Sequence, residues 1–215
     1  MGCHCRHAVA WQSEIKRVVL GGKVRAVEKI IVHSGYNKLL QPLIEHAVKT
    51  GDATQLVYFL ASQDDIALIK LAESVSDVTP AKIFSGNDEL GKTVELLGKG
   101  ATGTGLAGQD MRASHRADLR RAYNKIVDVK DRWICYVFDK PPSGLDLEGI
   151  SGDGDSGGPV LIKVEGKWQL AGLASWKKHV QDNDLILHAG FYGQKSYNVR
   201  VSHYAGWIED QIRAN

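Results

Sequence analysis

Nine short stretches rich in β-branched and aromatic residues recur along the chain and constrain its fold more than any other feature. Gly, Pro, Asn and Asp residues separate them, as in antiparallel sandwiches and barrels rather than in proteins that alternate strands with helices. The stretches are 16–20, 23–32, 65–71, 93–97, 125–129, 133–138, 159–164, 168–175 and 197–201. We therefore expect an all-β protein.

Two segments depart from this pattern. Residues 37–62 carry apolar side chains at helical spacing, which predicts an inserted amphipathic helix with its continuation, and 204–213 predicts a C-terminal α-helix. The polar stretch 75–91 separates β-prone runs. It predicts an N-terminal unit over residues 1–80 and a second unit over 81–215.

Composition excludes several classes of protein. Of the 215 residues, 43% are hydrophobic and 24% charged, which is typical of a soluble globular chain and excludes extensive disorder. The net charge of +2 gives no field that favours nucleic acid or an anionic membrane, and no apolar run approaches the roughly 20 residues of a membrane helix. We expect a monomer without nucleic-acid or membrane partners.

The cysteines indicate neither a disulfide framework nor a metal centre. There are three, Cys3, Cys5 and Cys135, and two of them lie at the extreme N-terminus. The cluster at 3–7 has metal-capable side chains but lacks a second ligand pair at zinc-finger spacing. We therefore expect no metal and no other cofactor.

The strongest chemical signal is the hexapeptide Gly-Asp-Ser-Gly-Gly-Pro at 154–159, followed at once by an apolar run. Glycines beside a nucleophile let a substrate carbonyl approach the backbone, and the amides of Gly154 and Ser156 are placed to form an oxyanion hole. A serine hydroxyl also needs a base and an acid that orients the base. The motif therefore predicts a functional histidine and aspartate elsewhere.

This hexapeptide resembles the nucleophile motif of the trypsin-like serine endopeptidases, the S1 family with the chymotrypsin fold. Residues 65–71 resemble the family segment around the orienting aspartate, and 30–37 resemble the strand and turn before it. Residues 174–176 resemble the strand that lies along the substrate backbone, and 204–208 the terminal helix. The resemblance implies two antiparallel Greek-key β-barrels, the first incomplete, with the active site in the cleft between them.

The similarity extends over about residues 7–212, in the family's order of base, acid and nucleophile. It implies a catalytic triad of His7, Asp65 and Ser156. Asp65 is preferred over its neighbour Asp64, a surface carboxylate by the simplest interpretation, because only Asp65 directly precedes the Ile-Ala-Leu tripeptide.

The base is harder to assign, because His4 and His7 both lie before the 30–37 segment. His7-Ala8-Val9 resembles the family's His-Cys-Val with alanine in place of cysteine, as in bacterial relatives that lack that disulfide. His46-Ala47-Val48 has the same tripeptide but falls in the helical insertion, 19 residues before Asp65. We expect His7 to be the base. The alternative is that His7 is a flexible residue of the N-terminal tail without a catalytic role.

The resemblance also implies a specificity pocket. Its residues are expected to be Ile150, Ser175, Trp176, Lys177 and Ser196. Ile150 takes the place of the aspartate that selects Lys or Arg in trypsin, so an apolar or small side chain is expected at the cleavage site. Lys177 stands where glycine is usual and is expected to narrow the pocket.

In the family, a freed N-terminal amine pairs with the aspartate before the nucleophile, here Asp155, and organises the oxyanion hole. No small-residue strand is evident before His7, nor the family's N-terminal Ile-Val-Gly-Gly, and no signal peptide. We therefore expect a sequence truncated at its N-terminus, from a secreted or periplasmic protein.

These observations predict a serine endopeptidase that hydrolyses protein or peptide substrates through an acyl-enzyme. The alternative is a catalytically inactive trypsin-like fragment or pseudo-protease that acts as a binding module. A third possibility is an esterase of the α/β-hydrolase type. It is disfavoured because its histidine would follow the serine.

Overall fold

The computed structural model describes residues 2–4, 15–38, 41–110, 118–179 and 190–215. Strands dominate this part of the chain, and a helix ends it. An all-β fold with a C-terminal helix is thus confirmed. In the described residues, no helix has the length and apolar character that crossing a membrane requires.

Four antiparallel strands form the first sheet. They are β1 (Gly2–His4), β2 (Arg17–Leu20), β3 (Lys23–Val32) and β4 (Ala67–Leu71), in the spatial order β1-β4-β3-β2. The turn between β2 and β3 consists of Gly21 and Gly22, both with positive φ (60° and 74°), which suits the twist of a two-residue hairpin. This sheet packs around Ala67 and Ile69.

Two helices, α1 (Gln41–Thr50) and α2 (Thr54–Ser62), lie between β3 and β4 where one interrupted helix was expected. The break has a local cause. Gly51 has a φ of 75°, which ends α1, and the Asp52 carboxylate accepts a hydrogen bond of 2.9 Å from the Thr54 amide at the start of α2. Of the insertion, residues 39–40 lie outside the described part.

The second sheet closes on itself. Its strands are β5 (Lys82–Ile83), β6 (Thr93–Gly98), β9 (Arg120–Lys130), β10 (Trp133–Val137), β11 (Pro159–Val164), β12 (Lys167–His179) and β13 (Gln194–Arg200). The order β11-β6-β9-β10-β13-β12 returns to β11, which gives a six-stranded barrel, and β5 adds to β12 in parallel. A small hairpin of β7 (Gly103–Thr104) and β8 (Gly108–Gln109) follows β6.

After β13, a 3₁₀ turn (Val201–Tyr204) leads into α3 (Ala205–Ala214). Tyr204 of the 3₁₀ turn and Ile208 of α3 pack in the same core cluster as Leu68 of the first sheet and Trp133 of the barrel. This cluster joins the first sheet, the barrel and the C-terminal segment, whereas a second cluster fills the barrel interior.

All nine β-prone stretches correspond to strands, with ends that differ by several residues. The short strands β1, β5, β7 and β8 were not expected, because two or three residues carry too little periodicity to be recognised. The absence of a strand before His7 was a wrong expectation. Residues Gly2–His4 pair with β4, and His4 lies opposite Ala67.

A buried ion pair anchors the last strand of the barrel. Glu89 is fully buried and receives hydrogen bonds from Arg200 (2.7 Å and 3.0 Å) and from Ser202 (2.7 Å). Burial alone would raise the pKa of Glu89, but the bonds from Arg200 and Ser202 outweigh it and hold the pKa below its usual value.

We expect Glu89→Gln to lower the free energy of unfolding by about 3 kcal/mol at pH 7, because it leaves Arg200 without its anion. Since the folded pKa of Glu89 is depressed, its contribution is present above the unfolded pKa of about 4.3 and is lost as pH falls through the folded value. Urea denaturation of both proteins at decreasing pH should show the difference shrinking.

Glu209→Gln is the matched control. Glu209 pairs with Arg213 on the exposed face of α3, and its side chain is 65% exposed, so the loss should stay within about 0.5 kcal/mol. Equal losses for the two variants would contradict the role assigned to Glu89.

Candidate active site

Two tight turns hold the Gly-Asp-Ser-Gly-Gly-Pro segment. The Asp155 amide donates to the Gly152 carbonyl (3.1 Å), and the Gly158 amide donates to the Asp155 carbonyl (2.8 Å). Gly154 and Gly157 have φ values of 93° and 77°, a region that other residues enter only with strain. Ser156 therefore stands at the junction of two turns that require glycine on either side.

The turn around Ser156 leaves two amides without partners. Within the described residues, neither the Gly154 nor the Ser156 N–H donates a hydrogen bond, whereas the Asp155, Gly157 and Gly158 amides all do. Unpaired donors beside a nucleophile are the groups that stabilise a developing oxyanion.

Strand β12 holds this turn in place. The Gly157 amide donates to the Ala174 carbonyl (2.8 Å), and the Ala174 amide donates to the Gly158 carbonyl (2.9 Å). The next residue, Ser175, donates from its hydroxyl to the Asp65 carboxylate over 2.6 Å. Two consecutive residues of one strand thus contact the nucleophile turn and the predicted acid.

Asp65 lies two residues before β4 and is only 4% exposed. A buried carboxylate with a hydroxyl donor is suited to orient an imidazole. Its neighbour Asp64 has other contacts, with Arg132 (3.0 Å), the Tyr204 hydroxyl (2.8 Å) and His33 (3.3 Å). Asp64 therefore links the first sheet to the C-terminal segment, which gives it a structural role.

The predicted base, His7, lies outside the described residues. The described strand β1 ends at His4, which lies opposite Ala67, two residues from Asp65. Of the alternatives, His46 is exposed on α1, and only the backbone of His4 is described.

Asp155 is held by backbone amides. Its two oxygens accept hydrogen bonds from Gly100 (2.7 Å) and Gly152 (2.9 Å). A Cβ added at Gly98 or Gly100 would lie 2.0 Å or 2.6 Å from carboxylate atoms of Asp155, which explains glycine at both positions. A cavity of about 250 Å³ adjoins this carboxylate, and among the described Lys, Arg and His residues none forms an ion pair with it.

The expected pocket residues divide into three groups. Ile150 packs against the barrel core and lines the cavity beside Asp155. Ser175 faces Asp65, and Trp176 stacks on Tyr197 with ring centroids 3.8 Å apart. Lys177 and Ser196 are paired across β12 and β13.

Lys177 extends towards the segment before the nucleophile. Its ammonium nitrogen lies 3.5 Å from the Ser151 hydroxyl. Burial lowers the pKa of Lys177, while Asp153 and Asp155 act in the opposite direction. Within the described residues, no group of three or more His, Cys, Asp or Glu side chains is arranged to hold a metal ion, and the side chains of the 3–7 cluster lie outside them.

Comparison with known proteins agrees with this geometry. The family model described as Trypsin matches residues 3–208, nearly the whole chain. The chain belongs to the trypsin family. This family membership confirms the family resemblance that the 154–159 and 65–71 segments indicated.

Individual relatives are more distant. The chain is 28% identical over 200 residues to CLIP domain-containing serine protease B4 of Anopheles gambiae, covering 86% of this chain and 46% of the relative. It is 26% identical over 163 residues to vitamin K-dependent protein C of Mus musculus, covering 71% and 34%. The chain thus spans less than half the length of these trypsin-family relatives.

Sequence reasoning missed two features of this trypsin-family site. The Ser175 hydroxyl contacts Asp65, and only the fold reveals that contact, while its place in the specificity pocket stays a prediction. Tyr136 on β10 and Ser151 in the loop before the nucleophile motif were not expected near Lys177, because both are distant from it in sequence. The single signal for Ser151 was its position next to Ile150.

Because a methyl group at Gly100 would displace the Asp155 carboxylate, we expect Gly100→Ala to lower the free energy of unfolding by about 1–3 kcal/mol. Gly206→Ala is the control, since nothing lies within 4 Å of its Cβ position on α3 and alanine favours a helix by up to about 1 kcal/mol. Thermal or urea denaturation distinguishes them. A Gly100→Ala protein as stable as the wild type would contradict the packing described for Asp155.

Proposed function

We propose that this trypsin-family protein is an active serine endopeptidase with His7, Asp65 and Ser156 as its catalytic triad. The observation that carries the proposal is the pair Ala174–Ser175, which contacts the Ser156 turn with one residue and Asp65 with the next. The proposed acid and the turn that carries the proposed nucleophile thus contact adjacent residues of one strand, β12.

In this mechanism, His7 removes the proton from the Ser156 hydroxyl as the oxygen attacks a peptide carbonyl. Asp65 holds the imidazole in the required tautomer and stabilises its protonated form. The amides of Gly154 and Ser156 donate to the oxyanion of the tetrahedral intermediate. His7 then gives its proton to the leaving amine. In the second half of the reaction, His7 removes a proton from water, which attacks the acyl-enzyme and releases the acid product.

Asp155 has a positioning role in the proposal. Its carboxylate joins residues 98–100 to the turn at 152–155, so its orientation sets the direction of the Gly154 amide. The adjoining cavity accommodates a cation such as an N-terminal ammonium, which would neutralise the Asp155 carboxylate. Secretion and a monomeric state belong to the same proposal.

The second candidate is an inactive trypsin-like binding module. The observation that favours it is the first sheet, whose four strands do not close into a barrel within the described residues, in contrast to the closed barrel of the second sheet. Low identity to relatives named as proteases also permits a chain that has kept the fold without the activity.

A fluorophosphonate probe tests the triad directly, because it reacts with an activated serine whatever the substrate preference. We expect labelling of Ser156, identified by peptide mapping, and its abolition in Ser156→Ala. His7→Ala and Asp65→Asn should slow labelling by about 10⁴-fold, as loss of the base or of its orienting acid does in such triads.

His46→Ala is the matched control for the base. His46 begins the same His-Ala-Val tripeptide as His7 but lies exposed on α1, so its replacement should leave the labelling rate unchanged. Absence of labelling in the wild type would support the binding module. Loss of labelling in His46→Ala with retention in His7→Ala would overturn the assignment of the base.

A further inference from the structure

Three neighbouring strands of the barrel place Tyr136, Ser196 and Lys177 in one row. Ser196 on β13 is paired with Tyr136 on β10 and with Lys177 on β12. Directly paired residues project from the same face of a sheet. Tyr136 packs in the cluster that fills the barrel, so the row faces inward. We name these three residues, together with Ser151, the Lys177 cluster.

The ammonium group of Lys177 is poorly satisfied. Its one hydrogen bond to the described residues is the long contact of 3.5 Å with Ser151. The two carboxylates that act electrostatically on Lys177, those of Asp153 and Asp155, already accept hydrogen bonds from other groups. Asp153 receives a hydrogen bond of 2.7 Å from Gln109, and Asp155 receives those of the Gly100 and Gly152 amides.

The Tyr136 hydroxyl is also unsatisfied. Tyr136 is fully buried, and its hydroxyl has no hydrogen-bond partner among the described residues. Burial raises the pKa of this phenol to about 12, against smaller opposing effects of Ser196 and Ser151, so it stays protonated and remains a donor at neutral pH. Ser196 is itself buried, and its hydroxyl donates a long hydrogen bond of 3.4 Å to the Asn198 side chain.

The chemistry of these groups specifies their ligand. An ammonium group can only donate hydrogen bonds, and a protonated phenol and two hydroxyls can donate as well. A cation on an inward face is costly unless an anion accompanies it. A carboxylate accepts up to four hydrogen bonds and supplies the missing charge, whereas an apolar side chain would add no acceptor for these donors.

The Lys177 cluster lies beside the proposed nucleophile. Lys177 is three residues beyond Ala174, which holds the Ser156 turn, and three residues of strand span about 10 Å. Ser151 lies five residues before Ser156 in the same loop. This distance is spanned by two side chains together. One is that of the substrate residue that carries the reacting carbonyl, and the other is the Lys177 side chain that extends from β12.

We propose that the Lys177 cluster binds the acidic side chain of the residue whose carbonyl Ser156 attacks, so that the protease cleaves after aspartate or glutamate. This inference rests on the proposed endopeptidase function and names its substrate class. It differs from the expectation of an apolar or small side chain, because Ile150 shares its cavity with the Tyr136 and Ser151 side chains, and the Lys177 ammonium group contacts Ser151.

The test uses fluorogenic peptides that differ only in the residue before the cleaved bond, with Asp, Glu, Asn, Gln, Ala, Leu, Phe, Lys or Arg at that position. For the wild type we expect kcat/KM for Glu or Asp to exceed that for Gln or Asn at least about tenfold. Lys177→Met, which keeps the length and removes the charge, should bring the Glu/Gln ratio to about one. Lys177→Arg should retain a preference for acid.

Lys178→Met is the matched control, because Lys178 is the next residue along β12 and projects from the opposite face. Its Glu/Gln ratio should equal that of the wild type. Fluorophosphonate labelling of Ser156 in each variant shows whether the catalytic machinery is intact.

Labelling together with a preference for any other class, or a Glu/Gln ratio unchanged in Lys177→Met, overturns the assignment of the Lys177 cluster alone. An unlabelled wild type overturns the endopeptidase function and the substrate class with it.

Discussion

A hydrogen bond of 2.6 Å from the Ser175 hydroxyl to the buried Asp65 carboxylate ties the four-stranded sheet to the closed barrel. Asp65 leads into β4 of the first sheet, and Ser175 belongs to β12 of the second. The backbone of the preceding residue, Ala174, holds the turn that presents Ser156. Because the proposed acid and nucleophile are held by adjacent residues of one strand, the proposed site forms only when the two sheets pack together. The shared core cluster around Leu68 and Trp133 provides that packing.

Two partly compensated charges, Asp155 and Lys177, contact the loop before Ser156. Asp155 is stabilised by backbone amides next to a cavity, and Lys177 by a long contact with Ser151. Charges on inward faces lower stability unless they are paired, so both are costly in the isolated fold. Each gains a partner in the function proposed here, a cation in the first case and a substrate carboxylate in the second. The two charges thus lower the stability of the fold and provide the proposed binding of a cation and of a substrate carboxylate at a single loop.

Much of this could be predicted from the sequence. Runs of β-branched and aromatic residues predicted the long strands, and the six-residue motif at 154–159 predicted the glycine-dependent turns around Ser156, because local geometry dictates local sequence. The brief β1 strand escaped notice, since three residues carry no measurable period. The contact between Ser175 and Asp65 and the row of Tyr136, Ser196 and Lys177 join residues far apart in the chain. Only the strand register brings them together, and the register of strand pairing cannot be predicted from a single sequence.

The central claim is that one site unites Asp65, Ser156 and His7. A crystal structure of the protein with a peptidyl boronic acid, which bonds to a nucleophilic serine as a tetrahedral adduct, tests it most directly. The account predicts boron on Ser156 Oγ, a boronate oxygen within about 3 Å of the Gly154 and Ser156 amides, and the His7 imidazole between Ser156 and Asp65 at hydrogen-bond distance from both. An adduct in which another histidine occupies that place, or in which His7 lies away from Asp65, would contradict it.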